Sequence, residues 1–148
     1  MSTEGFEFKE SILNLFKAQA ITIYAFDAQR NEIFSKVKSG DEINEIRAPI
    51  SPVSIAGWVA SHQKSVKIID VYNEQELQSY HADLKFDSSW DQKSGSVTKS
   101  VLVFPLIHAE QLMGVIQLVN KLDGESFTEQ DEKSVAIISE TLALAFYN

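Results

Sequence analysis

The sequence predicts an α+β fold. In it, a central antiparallel β-sheet carries N- and C-terminal helices on one face and a ligand pocket under loops and short helices on the other. Residues 99–107 and 112–120 are two largely apolar segments joined by a short turn, as expected of paired strands at the centre of a sheet. Residues 4–18 and 128–146 repeat apolar side chains at helical spacing along two edges, so each helix needs two packing partners. Residues 72–98 form a long polar connection, which in a compact domain is usually functional.

Length and composition indicate the number of domains and argue against some classes of partner. A chain of 148 residues, with 44% apolar and 23% charged residues, predicts one soluble domain over residues 1–148, with a core from about residue 8 to 147. The net charge of −8 argues against a nucleic-acid partner, because phosphate binding requires clustered Lys and Arg. It also argues against docking on an anionic membrane.

The chain contains no cysteine, which excludes disulfides, thiolate metal sites and a cysteine nucleophile. Residues 1–10 carry charge and no apolar run, so we expect no signal peptide. No stretch approaches the ~20 apolar residues that span a membrane. A cytoplasmic location fits the lack of cysteine without following from it, and it is the location that we expect.

The first half predicts a helix, a hairpin, a strand and a second helix. In residues 4–18, Phe8, Ile12 and Leu15 form one apolar edge, and Leu13 and Phe16 form a second. Residues 20–26 and 32–37 are predicted strands joined by a polar turn, and residues 43–50 are a short third strand.

Ser54 is a candidate N-cap for a helix over residues 55–62. Gly57 inside that helix would cost roughly 1 kcal/mol relative to Ala, which predicts that another backbone packs against it. A short strand over residues 65–70 and a helical candidate over 73–80 come next, and we interpret residues 72–98 as a cover over a pocket.

The second half predicts the central hairpin and the last helix. Pro105 cannot donate to a strand ladder, so we expect a bulge there. Asp123 and Gly124 indicate a turn, and Thr128 followed by Asp131 predicts a variant of the capping box. The last helix has two stripes: Val135, Ile138, Leu142 and Phe146, and then Ile137, Thr141 and Leu144.

No catalytic constellation is visible. His62, His81 and His108 lie on different predicted elements, and no Ser-His-Asp spacing, paired carboxylates or Gly-rich phosphate loop is present. His81 with Asp83 supplies two candidate metal ligands, which do not make a site. We therefore predict no enzyme activity, no catalytic residues, no metal and no cofactor.

A strand-to-helix segment carries the most specific pattern. Asn120 and Lys121 end a strand, Phe127 precedes a helix, and Asp131 and Glu132 open it. This spacing resembles the NKFDE motif of GAF domains in cyclic-nucleotide phosphodiesterases and related cyclases. The order of elements from about residue 8 to the end is also similar to the GAF fold. The resemblance implies a structural Lys121–Asp131 salt bridge and a regulatory cyclic-nucleotide ligand, cAMP or cGMP.

The same resemblance suggests ligand-binding positions. Residues 91–100 look like the family's segment after the lid, so Asp91, Ser94 and Thr98 would contact the ligand through polar side chains. Ile55 and Ala56 would offer backbone amides at a helix N-terminus, where phosphates bind readily. The remaining two positions, Gln117 at the pocket base and Thr22 on the first strand, are polar side chains on otherwise apolar strands.

Two positions depart from the family pattern. Lys38 and Ser39 stand where the family often has Phe-Asp to stack on and contact the base, and Ser54 stands where Gly is common. For Lys38 we expect a solvated charge. Two alternatives stay open: a haem or other small-molecule sensor using His81, and a ligand-free dimerisation module.

Together these patterns predict a non-catalytic regulatory GAF domain that binds a cyclic nucleotide. The doubly apolar terminal helices predict a homodimer through a helical bundle. We expect an effector domain fused to this domain or acted on by it, within a larger signalling or ATPase protein.

Overall fold

The computed structural model describes residues 3–39, 45–95 and 97–147. Six strands form one antiparallel sheet in the order β3-β2-β1-β6-β5-β4. The elements in chain order are α1 (Thr3–Phe16), β1 (Ala18–Asp27), β2 (Glu32–Lys38), β3 (Arg47–Pro49), α2 (Ile55–His62), β4 (Val66–Ile68), α3 (Glu74–Gln78), α4 (Ser89–Ser94), β5 (Val101–His108), β6 (Gln111–Lys121) and α5 (Glu129–Tyr147). Of the helices in the described ranges, none is long and apolar enough to cross a membrane.

The sheet has a hydrophobic core on each face. Along β5, Val101 and Val103 pack with α2 on one side, called here the α2 face. Leu102 and Leu106 alternate with them and pack with α1 and α5 on the other side, called the helical face. Strands buried on both sides read as continuous apolar runs, which is why β5 and β6 stand out in the sequence.

The last helix packs as its first stripe predicts. Val135 and Leu142 are buried against the helical face. Ile137 and Leu144, from the second stripe, are 68% and 48% exposed on the outer side.

The stripe predicted for the first helix is wrong in part. Ile12 and Phe16 are buried, whereas Phe8 and Leu15 are exposed. The helix contacts the sheet through the i, i+4 pair Ile12 and Phe16, because side chains four residues apart lie on one face. Phe8 and Leu15, seven residues apart, share the outward side.

Strand pairing differs from the prediction in one respect. The two central strands are β1 and β6, while β5 lies next to the edge strand β4. The irregularity expected at Pro105 falls one residue later, between Leu106 and Ile107, beside Gly114. Gly114 lies so close to the Tyr24 carbonyl that a side chain would collide with it.

Several element bounds also differ. The third strand is only Arg47–Pro49, and residues 40–44 lie outside the described ranges. The helical candidate over 73–80 is the shorter α3, capped by the Asn73 side chain, which accepts from the N–H groups of Gln75 and Glu76. Residues 89–94, expected as loop, form α4.

The second helix is built as predicted. The Ser54 hydroxyl accepts the Gly57 N–H at 3.0 Å, which is an N-cap bond. A Cβ at position 57 would lie 2.6 Å from the Ser51 carbonyl oxygen and would also meet that of Pro49. The close backbone packing expected at Gly57 is therefore confirmed.

Candidate functional site

Two polar side chains meet on the α2 face of the central strands. Thr22 on β1 lies directly opposite Gln117 on β6. Each alternates with neighbours that pack on the helical face, so both side chains point to the α2 face. No hydrogen bond joins either side chain to another described residue, and both are partly buried. A carboxamide and a hydroxyl in this position can donate to and accept from a ligand.

Tyr24 belongs to the same face, two residues further along β1. It is buried, and this burial raises the pKa of Tyr24 to about 12. The phenol therefore keeps its proton at neutral pH, and this part of the face carries no negative charge from it.

The first turn of α2 supplies backbone donors on the same face. Ile55 and Ala56 are both buried in the core on the α2 face. Their N–H groups are the first two of the helix, which have no intrahelical acceptor. Ser54 caps only Gly57, and among the described residues we find no acceptor for the amides of Ile55 and Ala56. The first turn contains no acidic side chain that would repel an anion.

Lys38 is not the solvated charge that we expected. It is only 5% exposed and lies directly opposite Thr22. A bulge in the β1–β2 pairing places it there: Ile23 is opposite Val37 and Tyr24 is opposite Ser35, so Lys36 is an extra residue. Lys38, Thr22 and Gln117 therefore form one row across three strands, called here the floor row.

One carboxylate, Asp91, connects the beginning and the end of the cover, residues 72–98. Asp91 accepts from the Thr98 N–H at 2.8 Å, the Thr98 hydroxyl at 2.7 Å and the Tyr72 hydroxyl at 2.7 Å. The hydrogen bond to Asp91, followed by desolvation, raises the pKa of Tyr72. The structure thus joins Asp91 and Thr98 to each other. Their contact with a ligand remains a prediction, and the side chain of Ser94 lies outside the described part of the chain.

The cover also packs into the core. Leu77 and Leu84 are buried on the α2 face. At the sheet edge, the Glu76 carboxylate accepts from the N–H groups of Ile69 and Asp70, and the Tyr80 hydroxyl bridges the N–H and carbonyl of Lys67. These side chains occupy backbone groups that an edge strand would otherwise present to another chain.

The strand-to-helix segment after β6 attaches α5 to the sheet. Lys121 Nζ lies 2.8 Å from Asp131 Oδ2, as expected, and each side chain is 13% exposed. The Thr128 N–H donates to Asp131 and the Asp131 N–H donates to Thr128 Oγ1, so the predicted capping box is confirmed. Burial would raise the pKa of Asp131, but the hydrogen bonds from Lys121 and Thr128 outweigh it and hold that pKa below its ordinary value. Phe127 is 2% exposed beneath the pair.

Asn120 and Glu132 belong to the same strand-to-helix segment and connect it to the ends of other strands. The Asn120 side chain accepts from the N–H groups of Lys99 and Ser100 and donates to the Val97 carbonyl. Asn120 has φ +54°, a conformation that Asn tolerates better than most residues. Glu132 forms an ion pair with Lys67 at 2.9 Å. The contacts of these five residues join β4, β5, β6 and α5.

His81 is placed in an aromatic group with Trp58 and His62; its ring lies 5.0 Å from that of His62. Its Nδ1 accepts from the Asp83 N–H at 3.1 Å. An axial haem ligand binds through one ring nitrogen and donates a proton from the other, so this bond would have to break. The geometry gives the haem alternative no support.

A surface depression lies elsewhere, between the start of β5 and the turn after β6. Ile69, Lys99, Ser100 and residues 124–126 line it. None of the predicted ligand positions contributes to it.

A family model described as "GAF domain" matches residues 10–146. The chain belongs to the GAF family.

Relatives of this GAF domain include parts of cyclic phosphodiesterases. The probable 3',5'-cyclic phosphodiesterase pde-5 of Caenorhabditis elegans is 31% identical over 146 residues, covering 90% of this chain and 18% of the relative. The cone cGMP-specific 3',5'-cyclic phosphodiesterase subunit alpha' of Bos taurus is 31% identical over 81 residues, covering 55% of this chain and 8% of the relative. The chain thus spans less than a fifth of the length of these relatives.

Solved structures agree on the GAF fold. The GAF domain of an Acinetobacter phosphoenolpyruvate-protein phosphotransferase matches with TM-score 0.72 and 15% identity, over 95% of this chain and 77% of that one. The second GAF domain of DevS from Mycobacterium smegmatis matches with TM-score 0.69 and 14% identity, over 97% and 91%. A type II free methionine-R-sulfoxide reductase from Thermoplasma acidophilum, an enzyme, has TM-score 0.72 and 12% identity, over 95% and 88%. At these identities the matches establish the fold alone.

Sequence reasoning missed two features of the candidate site in this GAF domain. Tyr72 was not predicted as a partner of Asp91, because nothing local marks a bond between residues 19 positions apart. Lys38 was misplaced because alternation along β2 alone cannot reveal a bulge. Unbroken alternation from Ile33 would have turned Val37 to the α2 face and Lys38 to the helical face.

Proposed function

We propose that this chain is a non-catalytic sensory GAF domain that binds a cyclic nucleotide on the α2 face of its sheet. One observation carries the proposal. The side chains of Thr22 and Gln117 lie side by side on that face without a hydrogen bond to any described residue, on the face that also carries the free first-turn amides of Ile55 and Ala56. The names of the phosphodiesterase relatives are consistent with this ligand class.

Two groups of polar atoms would bind different parts of the ligand. A helix N-terminus with free N–H groups favours an anion, so the cyclic phosphate would lie at Ile55 and Ala56. The Gln117 amide can pair with a purine edge, and Thr22 can bond to a ribose or base atom. Asp91, Ser94 and Thr98 would complete the site from the cover.

The proposed output is a homodimer through the outer sides of α1 and α5, where Leu15 and Ile137 are exposed. Ligand binding would close the cover and alter the helices that connect this domain to an effector. We expect the effector to be a separate domain of a larger cytoplasmic signalling or ATPase protein. We expect no nucleic-acid or membrane partner.

Isothermal titration of the chain with cAMP and cGMP tests the proposal. Saturating ligand should also raise the melting temperature, since a ligand that binds only the folded state stabilises it by RT ln(1 + [L]/Kd). Gln117→Leu should weaken binding on the order of tenfold, because one ligand hydrogen bond is lost and a ligand polar group is left unpaired. Gln111→Leu, at the exposed start of the same strand, is the matched control. Failure of both nucleotides to bind or stabilise the protein would overturn the proposal and leave a sensor of another small molecule or a ligand-free dimerisation module.

A further inference from the structure

The bulge in the β1–β2 pairing controls which side chain of β2 enters the site. Ile33 packs on the α2 face, and Ser35 opposite Tyr24 continues that face. The extra residue Lys36 then shifts the alternation, so that Val37 packs on the helical face and Lys38 is opposite Thr22. Bulges of this kind re-aim a side chain, often beside a binding site.

The position of Lys38 within the face is also defined. The first turn of α2 packs on residues 49–51, and Pro49 pairs with Glu32 at the start of β2. Lys38 lies at the other end of β2, roughly 17 Å further along at the strand rise of ~3.3 Å per residue, with one residue taken up by the bulge. The amides of Ile55 and Ala56 and the floor row therefore lie at opposite ends of β2, a separation that a bound nucleotide and the long lysine side chain would span together.

This separation extends the proposed function and rests on it. If the cyclic phosphate meets the α2 amides, the purine extends to the floor row. Lysine has three donors and no acceptor, whereas Gln117 both donates and accepts and so does not choose between purines. Guanine presents two adjacent acceptors, O6 and N7, where adenine presents the N6 amino donor beside N7.

We propose that Lys38 makes the site selective for guanine over adenine cyclic nucleotides by donating to O6 and N7. Lys38 already takes part in an interaction within the protein, so the base joins or replaces that partner. Adenine would place its amino group against a donor-only side chain, so that only N7 could accept from Lys38 and the amino group would face a second donor in place of an acceptor.

Parallel calorimetric titrations with cGMP and cAMP test the inference on the whole chain. We expect cGMP to bind on the order of tenfold more tightly, from the ~1–3 kcal/mol that a good base contact discriminates. Lys38→Gln introduces an acceptor for the N6 amino group and should abolish or reverse the preference. Lys36→Met, two residues away and exposed, should keep it.

Ligand analogues test the same contact without altering the protein. Cyclic IMP retains O6 and N7 and should bind like cGMP relative to cAMP, whereas 7-deaza-cGMP lacks N7 and should bind more weakly than cGMP. Equal or tighter binding of cAMP would overturn the inference while leaving the proposed function intact, as would a guanine preference that neither Lys38→Gln nor the 7-deaza analogue changes. Binding of neither nucleotide would overturn the proposed function, and the inference with it.

Discussion

At the scale of single residues, the Lys121–Asp131 ion pair is the contact that most directly attaches α5 to the sheet. Lys121→Ala should lower the free energy of unfolding by about 2 kcal/mol, the size of a hydrogen bond to a charged group, because it leaves a partly buried carboxylate without its cation. Ligand binding should weaken only as far as the fold does. Urea unfolding measures the change, with exposed Lys133→Ala as a control that should change stability by less than ~0.5 kcal/mol.

The same pair predicts a pH dependence. Because the pKa of Asp131 is lowered on folding, its contribution to stability is present above the unfolded value of 3.8 and is lost as the pH falls through the folded value. The difference in unfolding free energy between wild type and Lys121→Ala should therefore shrink at acid pH. A difference that stays constant from pH 7 to pH 3 would show that the pair is not the cause.

Some features of single residues could be predicted from the sequence, and others could not. The capping box joins Thr128 and Asp131, which are only three residues apart, so the local sequence is enough to predict it. The burial of Lys38 depends on the register of β2 against β1, which is set by packing on both faces of the sheet. The residue pattern within residues 32–38 does not by itself predict that register.

At the scale of secondary-structure elements, Gly57 determines how α2 sits on the end of β3. Gly57→Ala would raise helix propensity by roughly 1 kcal/mol, yet the new Cβ would overlap the carbonyl oxygens of Pro49 and Ser51. We expect the clash to dominate, with a net loss of about 1–3 kcal/mol. Thermal unfolding measures it, and exposed Ser61→Ala in the same helix should be neutral or stabilising. An unchanged or raised melting temperature for Gly57→Ala would contradict the packing.

The hydrogen bonds to Asp91 connect the two ends of the cover. Tyr72→Phe removes one of the three hydrogen bonds to Asp91, worth about 1 kcal/mol, without altering either core cluster. Amide hydrogen exchange should therefore speed up within residues 72–98 by roughly fivefold, while exchange in β1 and β6 stays unchanged. Tyr147→Phe, which alters an exposed tyrosine at the end of α5, is the control and should leave exchange within residues 72–98 unchanged. Uniform acceleration in both variants would mean that the cover does not open separately.

Some strand pairings and helices can be predicted from the local sequence, and others cannot. Strands β5 and β6 are joined by a tight turn, so their pairing was predictable from apolar runs and spacing. The pairing of β1 with β6 brings together residues 101 positions apart, as the Gln19–Asn120 hydrogen bond shows, and local patterns do not encode it. Helix α4 was missed for a related reason: its cap Ser88 makes no side-chain capping bond, and its stability comes from tertiary contacts of Asp91.

For the molecule as a whole, the sheet separates two faces with different coverings. The α2 face carries the floor row and packs with α2 and with Leu77 and Leu84 of the cover. The helical face is closed by α1 and α5, whose outer sides expose Leu15, Ile137 and Leu144. The second apolar stripe predicted on α5 therefore has no partner among the described residues of this chain, and the proposed homodimer would provide one.

This arrangement yields a prediction about assembly. Replacing Ile137, 68% exposed, with Glu would bury a carboxylate in the proposed interface, which costs far more than exposing it to water. Light scattering should show a dimer for wild type and a monomer for Ile137→Glu, with the monomer's melting temperature independent of concentration. Ile69→Glu is the matched control, since Ile69 is also exposed but lies beyond the edge strand β4. If wild type is monomeric at high concentration with and without cyclic nucleotide, any signal must leave through the ends of α1 and α5 within one chain.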